Sequence, residues 1–336
     1  MKLFISGVTG YIGDMLMQKA LDKGFDVHAL ARIIPPVNHK NLHFFQGDIT
    51  NLHDVERALD GCEAVFHTAG FTRLWDKNRR QFYQVNVEGT RNILEAAKRH
   101  KIKRVVFTSS GAVLGPSNSE PVKEDDPRIT PFENDYEISK FCAEQLVLEY
   151  VKEGLDAVIV SPTRVYGPGK LTAANPITSF ISKLMKWKAG FIPSAKQIRG
   201  NYAFIEDVVE GHFLALEKGI RGEKYSLGGE NIGYDTFFST IKKETGGALV
   251  LMPLPKIGFM LAGYASNLFA NLCGRRTHFS GKVVKRLYDD RAVSCKKAID
   301  VLGYEVTPFK QGIRKTIAYL KNIDHDTVIC TDNRSQ

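Results

Sequence analysis

The sequence predicts a doubly wound parallel α/β sheet, on the strength of three features. Short apolar runs alternate with amphipathic stretches through about residue 165, the rhythm of strand and crossover helix in a parallel sheet. The first apolar run leads directly into Gly7-Val8-Thr9-Gly10-Tyr11-Ile12-Gly13. Further along, Tyr136-Glu137-Ile138-Ser139-Lys140 follows a strand that ends in Thr108-Ser109-Ser110. Either motif alone arises often by chance. In this order and at this separation they describe a nicotinamide-dependent redox site.

Lys2-Leu3-Phe4-Ile5-Ser6 reads as a buried parallel strand. Gly7 then permits a tight turn, Gly10 lets the backbone approach a pyrophosphate, and Gly13 lets the next helix pack closely on the sheet. That helix, about 11–23, carries Ile12, Leu16, Ala20 and Leu21 along one side and ends at Gly24. Its N-terminal amides favour an anion, which makes a ligand-free glycine turn the weaker reading. The second strand, near 26–30, ends at Ala31-Arg32. A NAD site usually has an acid here to hold the ribose hydroxyls. With Ala31 in that place and Arg32 beside it, a 2′-phosphate is favoured, so NADPH is the expected cofactor, with NAD second. A solvated arginine at a strand end is the plainer alternative.

Further strands are expected near 43–47, 63–67, 103–108, 156–161 and 223–227, and helices over 85–100 and 136–153. The 103–108 strand delivers Ser109 and Ser110 to the crevice at the sheet's C-terminal edge. Tyr136 and Lys140 are four apart and share a helix face. An ammonium beside a phenol lowers the phenol pKa towards working pH. Tyr136 can then exchange a proton with a carbonyl or alcohol oxygen, Ser110 can donate a hydrogen bond to it, and Lys140 can hold the nicotinamide ribose. Against this stand a half-buried helix tyrosine and a surface lysine with no further role.

On these residues the chain resembles the extended short-chain dehydrogenases/reductases, the NAD-dependent epimerase/dehydratase superfamily, from Met1 to roughly Lys321. Gly47-Asp48-Ile49, His67-Thr68-Ala69-Gly70, Asn86-Val87-Glu88-Gly89-Thr90 and Ser161-Pro162-Thr163-Arg164-Val165-Tyr166-Gly167-Pro168-Gly169 all fit the family pattern. Within it the chain is most similar to dihydroflavonol-reductase-like and 3β-hydroxysteroid-dehydrogenase-like enzymes. The resemblance implies Ser110, Tyr136 and Lys140 as catalytic residues. For the cofactor it implies Gly7, Thr9, Gly10, Tyr11, Ile12, Gly13, Arg32, Asp48, Ile49, Ala69, Gly70, Thr108 and Pro162, with Tyr136 and Lys140 contributing again. Two departures narrow the chemistry. Gly111-Ala112 replaces the acidic pair with which related dehydratases eliminate water. Arg164 and Gly200 stand where related epimerases carry an asparagine and an arginine.

At 336 residues, 43% hydrophobic and 25% charged, the chain is an ordinary globular protein. Its five cysteines, Cys62, Cys142, Cys273, Cys295 and Cys330, are scattered, which points to a reducing compartment rather than to disulfides or zinc. The nine histidines lack metal-ligand spacing, so no metal is expected. The N-terminus enters a strand at once, without a secretory signal, so a cytoplasmic location is expected. The resemblance implies a dinucleotide domain over 1–169, completed by 201–228, and a smaller C-terminal α+β substrate lobe over 170–200 and 229–322; 323–336 are expected to be a frayed tail.

The net charge of +9 shows no aromatic interleaving of the kind nucleic-acid binders carry. It is uneven, however: from Lys256 to Lys297 there are nine basic residues against Asp289 and Asp290. The apolar run 257–272 is too short to span a bilayer. It reads as a helix over the substrate pocket, with an interfacial helix as the second reading. Phe71, Arg73, Trp75, Arg164 and this run are expected to line the pocket mouth, which suits a bulky hydrophobic ketone. Apolar residues such as Ile93, Leu94, Phe141 and Leu148 are expected on the outer faces of two helices that pair in a homodimer in related enzymes. The favoured function is NADPH-dependent ketone reduction or its reverse. Nucleotide-sugar epimerisation comes second, and a non-catalytic dinucleotide sensor third.

Overall fold

The computed structural model describes residues 1–73, 76–172, 174–195, 197–272 and 281–325; Trp75 lies outside them. The first half runs β1 (Lys2–Ser6), α1 (Tyr11–Asp22), β2 (Asp26–Ala31), β3 (Leu42–Gln46), α2 (Leu52–Leu59) and β4 (Ala64–His67). It continues with α3 (Arg80–Tyr83), a π-helical turn (Gln84–Glu88), α4 (Gly89–Arg99), β5 (Arg104–Thr108), α5 (Asp135–Lys152) and β6 (Ala157–Pro162). The second half holds β7 (Arg164–Tyr166), α6 (Pro176–Trp187), β8 (Ala189–Pro193), β9 (Arg199–Phe204), α7 (Ile205–Lys218), β10 (Lys224–Leu227), β11 (Glu230–Gly233) and α8 (Tyr234–Glu244). Last come β12 (Val250–Leu254), α9 (Lys256–Leu272), α10 (Gly281–Leu287) and α11 (Phe309–His325).

Seven strands form one parallel sheet in the order β10-β6-β5-β4-β1-β2-β3. Chain order reverses between β1 and β4, and the C-terminal ends of strands at such a point open a crevice for ligands. Every residue of β4 and β6 is buried, as strands covered on both faces require. Leu3, Ile5 and Phe66 pack on one face with α1 and α7 residues such as Leu16 and Phe213. Phe4, Val65 and Phe107 pack on the other with α2, α4 and α5. Ile93 and Leu94, expected on an outer face, belong to this second layer and are fully buried. Burial against their own sheet consumes them. Phe141 and Leu148 remain partly exposed, with the Phe141 ring tilted against Phe132 at 5.1 Å.

Two expectations are adjusted. The helix anticipated over 85–100 begins at Arg80, because Phe82 is buried edge-to-face on Phe71 and draws the chain into a helix five residues early. Of 201–228, α7 and β10 join the main layers, but β9 lies between β7 and β11 in a separate three-stranded sheet. β12 and β8 pair in parallel as a two-stranded sheet. An aromatic core of Tyr202, Phe237, Phe238 and Phe309 ties this lobe to α8 and α11.

Candidate active site

The glycine turn is set by contact. Gly7 adopts φ +80°, and a Cβ there would lie 2.6 Å from the Ala69 amide nitrogen. A Cβ on Gly13 would lie 2.2 Å from the Gly7 carbonyl oxygen. α1 starts at Gly10 with no side-chain cap, so its first amides remain free for an anion. Asp14, the acid of that first turn, is neutralised by Lys170 at 2.6 Å. This cradle fits a dinucleotide pyrophosphate. Thr9 is exposed beside it and Ile12 half-buried. Tyr11 sends its ring into the core under Gly169, so only its backbone faces the turn.

At the β2 end Ala31 is buried and Arg32 exposed. The Arg32 guanidinium has no carboxylate partner among the described residues. Asp48 accepts hydrogen bonds from the Thr50 amide and hydroxyl, both at 2.9 Å, while Ile49 is buried beneath Gly89. The Ala69 amide donates to Ser6 Oγ at 3.3 Å, and Gly70 lies against Asn86 Oδ1. Asn86 sits in the π turn. Its Oδ1 accepts from the Phe71 amide at 2.7 Å, and its Nδ2 donates to the Phe71 carbonyl at 3.2 Å and to Ser139 Oγ at 2.9 Å. A π turn aims its side chains off the regular helical path, and here that clamps the loop after β4 to α5.

Two buried histidines floor the crevice. The Thr90 hydroxyl donates to the Asn86 carbonyl, so it accepts from His67 Nε2 at 2.9 Å, leaving Nδ1 to accept from Ser6 Oγ at 2.7 Å. His212 Nδ1 donates to the Val208 carbonyl at 2.7 Å, so Nε2 accepts from Thr108 Oγ1 at 2.9 Å. Burial keeps both rings neutral, pulling their pKa values down to about 3 and about 4 respectively.

Ser110, Tyr136 and Lys140 come together at the β5 end. The Ser110 hydroxyl accepts from the Ala112 amide at 3.2 Å and lies close enough to the Tyr136 phenol to lower its pKa. Lys140 is buried and donates to the Thr108 carbonyl at 2.7 Å, with its ammonium 4.3 Å from the Phe107 ring centroid. Burial pushes the Lys140 pKa down to about 7, with Glu144 opposing the shift. Ser109 corrects an expectation: it turns away from the crevice and donates to Glu144, which also holds Lys224 at 2.8 Å. The phenol is a second correction. Burial raises its pKa; Ser110 and the charge of Arg286, rather than Lys140, act to lower it.

Arg286 belongs to a charge cage that the sequence reading missed. Glu137, directly after Tyr136, has a fully buried carboxylate that accepts from Arg128 at 2.7 Å and from Arg286. Arg291 reaches Glu133 at 3.1 Å. The sequence did carry a signal. Asn134 followed three residues later by Glu137 is the spacing of a capping box, and Asn134 Oδ1 accepts from the Glu137 amide at 2.9 Å.

On the substrate side, Phe71 packs on Phe82 and Arg73 is held by Asp76 at 2.8 Å, so that cation is already paired. Arg164 instead donates to the Tyr202 hydroxyl at 3.2 Å, beside Tyr234, with no carboxylate partner among the described residues. A Cβ on Gly200 would lie 2.3 Å from Arg164 Nη1. The missing side chain at 200 is what gives this guanidinium room. Pro162 closes β6 opposite Leu227, and Thr163 packs against Gly111.

Residues 3–228 match the NAD dependent epimerase/dehydratase family. A putative dihydroflavonol 4-reductase from Synechocystis is 31% identical over 335 residues, 95% of this chain and 94% of the relative. Sterol demethylase protein B of Methylococcus capsulatus is 31% identical over 254 residues, 73% of this chain and 75% of the relative. The crystal structure of gox2253 superposes with a TM-score of 0.77 at 27% identity, covering 96% of this chain and 98% of that one. A Thermus thermophilus UDP-glucose 4-epimerase in complex with NAD gives 0.76 at 22% identity, covering 96% and 99%, a likeness of fold. With motifs, sheet order and family match agreeing over the same residues, the chain belongs to the NAD dependent epimerase/dehydratase family and is an NAD(P)-dependent oxidoreductase acting on CH–OH groups.

Proposed function

We propose that this enzyme reduces a bulky hydrophobic ketone to a secondary alcohol, or runs the reverse, with NADPH as the preferred cofactor. The observation that carries the proposal is buried Lys140, fixed on the Thr108 carbonyl at the β5 end one helical turn after Tyr136, with Ser110 beside the phenol. The nicotinamide, when bound, supplies or accepts the hydride. Tyr136 gives its proton to the substrate oxygen, and Ser110 holds that oxygen by a hydrogen bond. The raised phenol pKa keeps Tyr136 protonated and ready to donate, which suits the reductive direction. Lys140, fixed on the Thr108 carbonyl, holds the ribose. Gly7, Gly10, Gly13 and the α1 amides hold the pyrophosphate, and exposed Arg32 pairs with the 2′-phosphate.

Relatives named as a dihydroflavonol reductase and a sterol enzyme support a flat, apolar substrate. Nucleotide-sugar epimerisation is the second reading, favoured by the Arg164 guanidinium, which has no carboxylate partner among the described residues and can meet an anion. Following NADPH absorbance across a ketone panel tests the first reading. Stoichiometric release of oxidised cofactor is the expected result. Turnover of a nucleotide sugar with no free cofactor released would replace it with the second.

A further inference from the structure

Outside the crevice, the chain distributes its charge and its exposed apolar residues unevenly, and the two patterns coincide. Residues 157–205 and 245–288 contain no Asp or Glu, yet hold thirteen Lys and Arg. Since the whole chain carries +9, the remainder is net negative. Several of these cations are engaged inward: Lys170 on Asp14, Arg199 on Asp290, Arg286 on Glu137. Lys183, Lys186, Lys188 and Lys285 are exposed and have no acidic partner among the described residues.

The same segments expose large apolar side chains. In the β8–β12 pair, Phe191 lies opposite Met252, and Val250 shares that face by strand alternation, while Leu251 and Ile192 pack towards the lobe core. Trp187 sits just before β8, between Lys186 and Lys188. β12 then runs through Pro255 into α9, where Ile257, Leu261 and Tyr264 recur on one exposed face and Phe259 is buried on the other, edge-on to Tyr288. Trp187, Phe191, Val250, Ile257, Leu261 and Tyr264 are each 58–71% exposed. Monomeric proteins rarely leave such a collection facing water.

We infer that this face docks the enzyme peripherally on an anionic lipid surface. Charge decides the occupant: a cationic rim from two segments without Asp or Glu, around an apolar strip that includes an interfacial tryptophan and tyrosine, complements acidic headgroups over acyl chains. A second copy of the chain would bring the same unpaired lysines against these. Among the described residues no helix is long and apolar enough to cross a membrane, so the contact is superficial. Over its described side chains α9 is thus amphipathic, with Phe259 buried on one face and Ile257, Leu261 and Tyr264 free on the other. The inference goes beyond the ketone reading and rests on the surface alone.

The test is co-sedimentation of the full chain with phosphatidylcholine vesicles, with and without phosphatidylglycerol. Binding is expected only with the anionic lipid, weakening as salt is raised. Trp187 emission, read in a Trp75→Phe background, should shift to the blue on binding. Lys186→Glu with Lys188→Glu should reduce binding about tenfold or more, and Ile257→Glu with Leu261→Glu should abolish it. Thermal melting and cofactor titration check that each variant is folded. If the α9 variant does not fold, the exposed lysine pair carries the test. Failure of folded wild-type chain to bind anionic vesicles would overturn the inference, as would unchanged binding by the variants. Dimerisation lost with Leu261→Glu, without vesicle binding, would overturn it in favour of a second copy. A ketone panel without turnover leaves the vesicle result standing, so the two readings fail separately.

Discussion

Where β1 hands over to α1, the crevice wall is glycine and backbone: Gly7 at positive φ, Gly13 with room for no further atom, and free helix amides with no side-chain cap. Where the chain enters α5, the wall is charge under burial: Glu137 caged by Arg128 and Arg286, Lys140 drawn down in pKa, and the Tyr136 phenol raised. The first half works by shape and needs nothing ionisable. The second works by holding ions where water is scarce, and its stability depends on each partner being present. The glycine half should therefore fail when an atom is added, and the α5 half when a charge is removed.

The largest break expected is Glu137→Ala. It removes the carboxylate that Arg128 and Arg286 share, leaving Arg128 its bonds to the Thr130, Ala112 and Val113 carbonyls and, among the described residues, Arg286 the more distant Glu133 at 3.6 Å. Removing one partner of a buried pair costs about 3–5 kcal/mol. Denaturant melts should show that loss, while Glu137→Gln, which keeps hydrogen bonding, should lose less. A loss below about 1 kcal/mol, the range of exposed pairs, would mean the cage is not structural.

Next is Tyr136→Phe, which keeps the ring and removes the proton. Turnover should fall about a hundredfold or more, with cofactor affinity kept. Near-normal turnover would take Tyr136 out of the mechanism.

On the glycine side, Gly13→Ala presses a methyl onto the Gly7 carbonyl and should cost about 1–3 kcal/mol, read as weaker binding of both cofactors together with a lower melting temperature. Arg32→Ala should be narrower, weakening NADPH roughly tenfold to a hundredfold while sparing NADH. Calorimetric titration of both cofactors reads each variant, and equal losses in the Arg32 variant would end its assignment to the phosphate.

Counted per histidine and per pH unit, the smallest step is graded acid sensitivity. His67 and His212 have folded pKa values of about 3 and about 4, below the ordinary 6.5. Between those values and 6.5 the unfolded chain binds more protons, so stability falls as pH falls. Each histidine contributes about 1.4 kcal/mol per pH unit at most. Melting midpoints between pH 7 and 4 measure the slope, and His212→Gln should flatten it. An unchanged slope would mean that ring is not buried neutral.

The strand ladder, the glycine turn and the pairing of Tyr136 with Lys140 were legible because each depends on neighbours within a few residues: short continuous apolar runs, a turn that tolerates no Cβ, and one helical turn of spacing. The capping box at Asn134 and Glu137 was legible in the same way, although the arginines that reach its carboxylate were not. Those come from residues 128 and 286, and nothing local marks them as partners. Tertiary structure alone decided that Ser109 turns to Glu144 while Ser110 faces the phenol, that Phe82 pulls a helix forward, and that β9 leaves the main sheet. It also decided that Arg164 occupies the space Gly200 leaves. Local pattern fixes which residues share a face. Which buried charge meets which, and which apolar face stays in water, depends on elements that are distant in sequence and are brought together only by the fold.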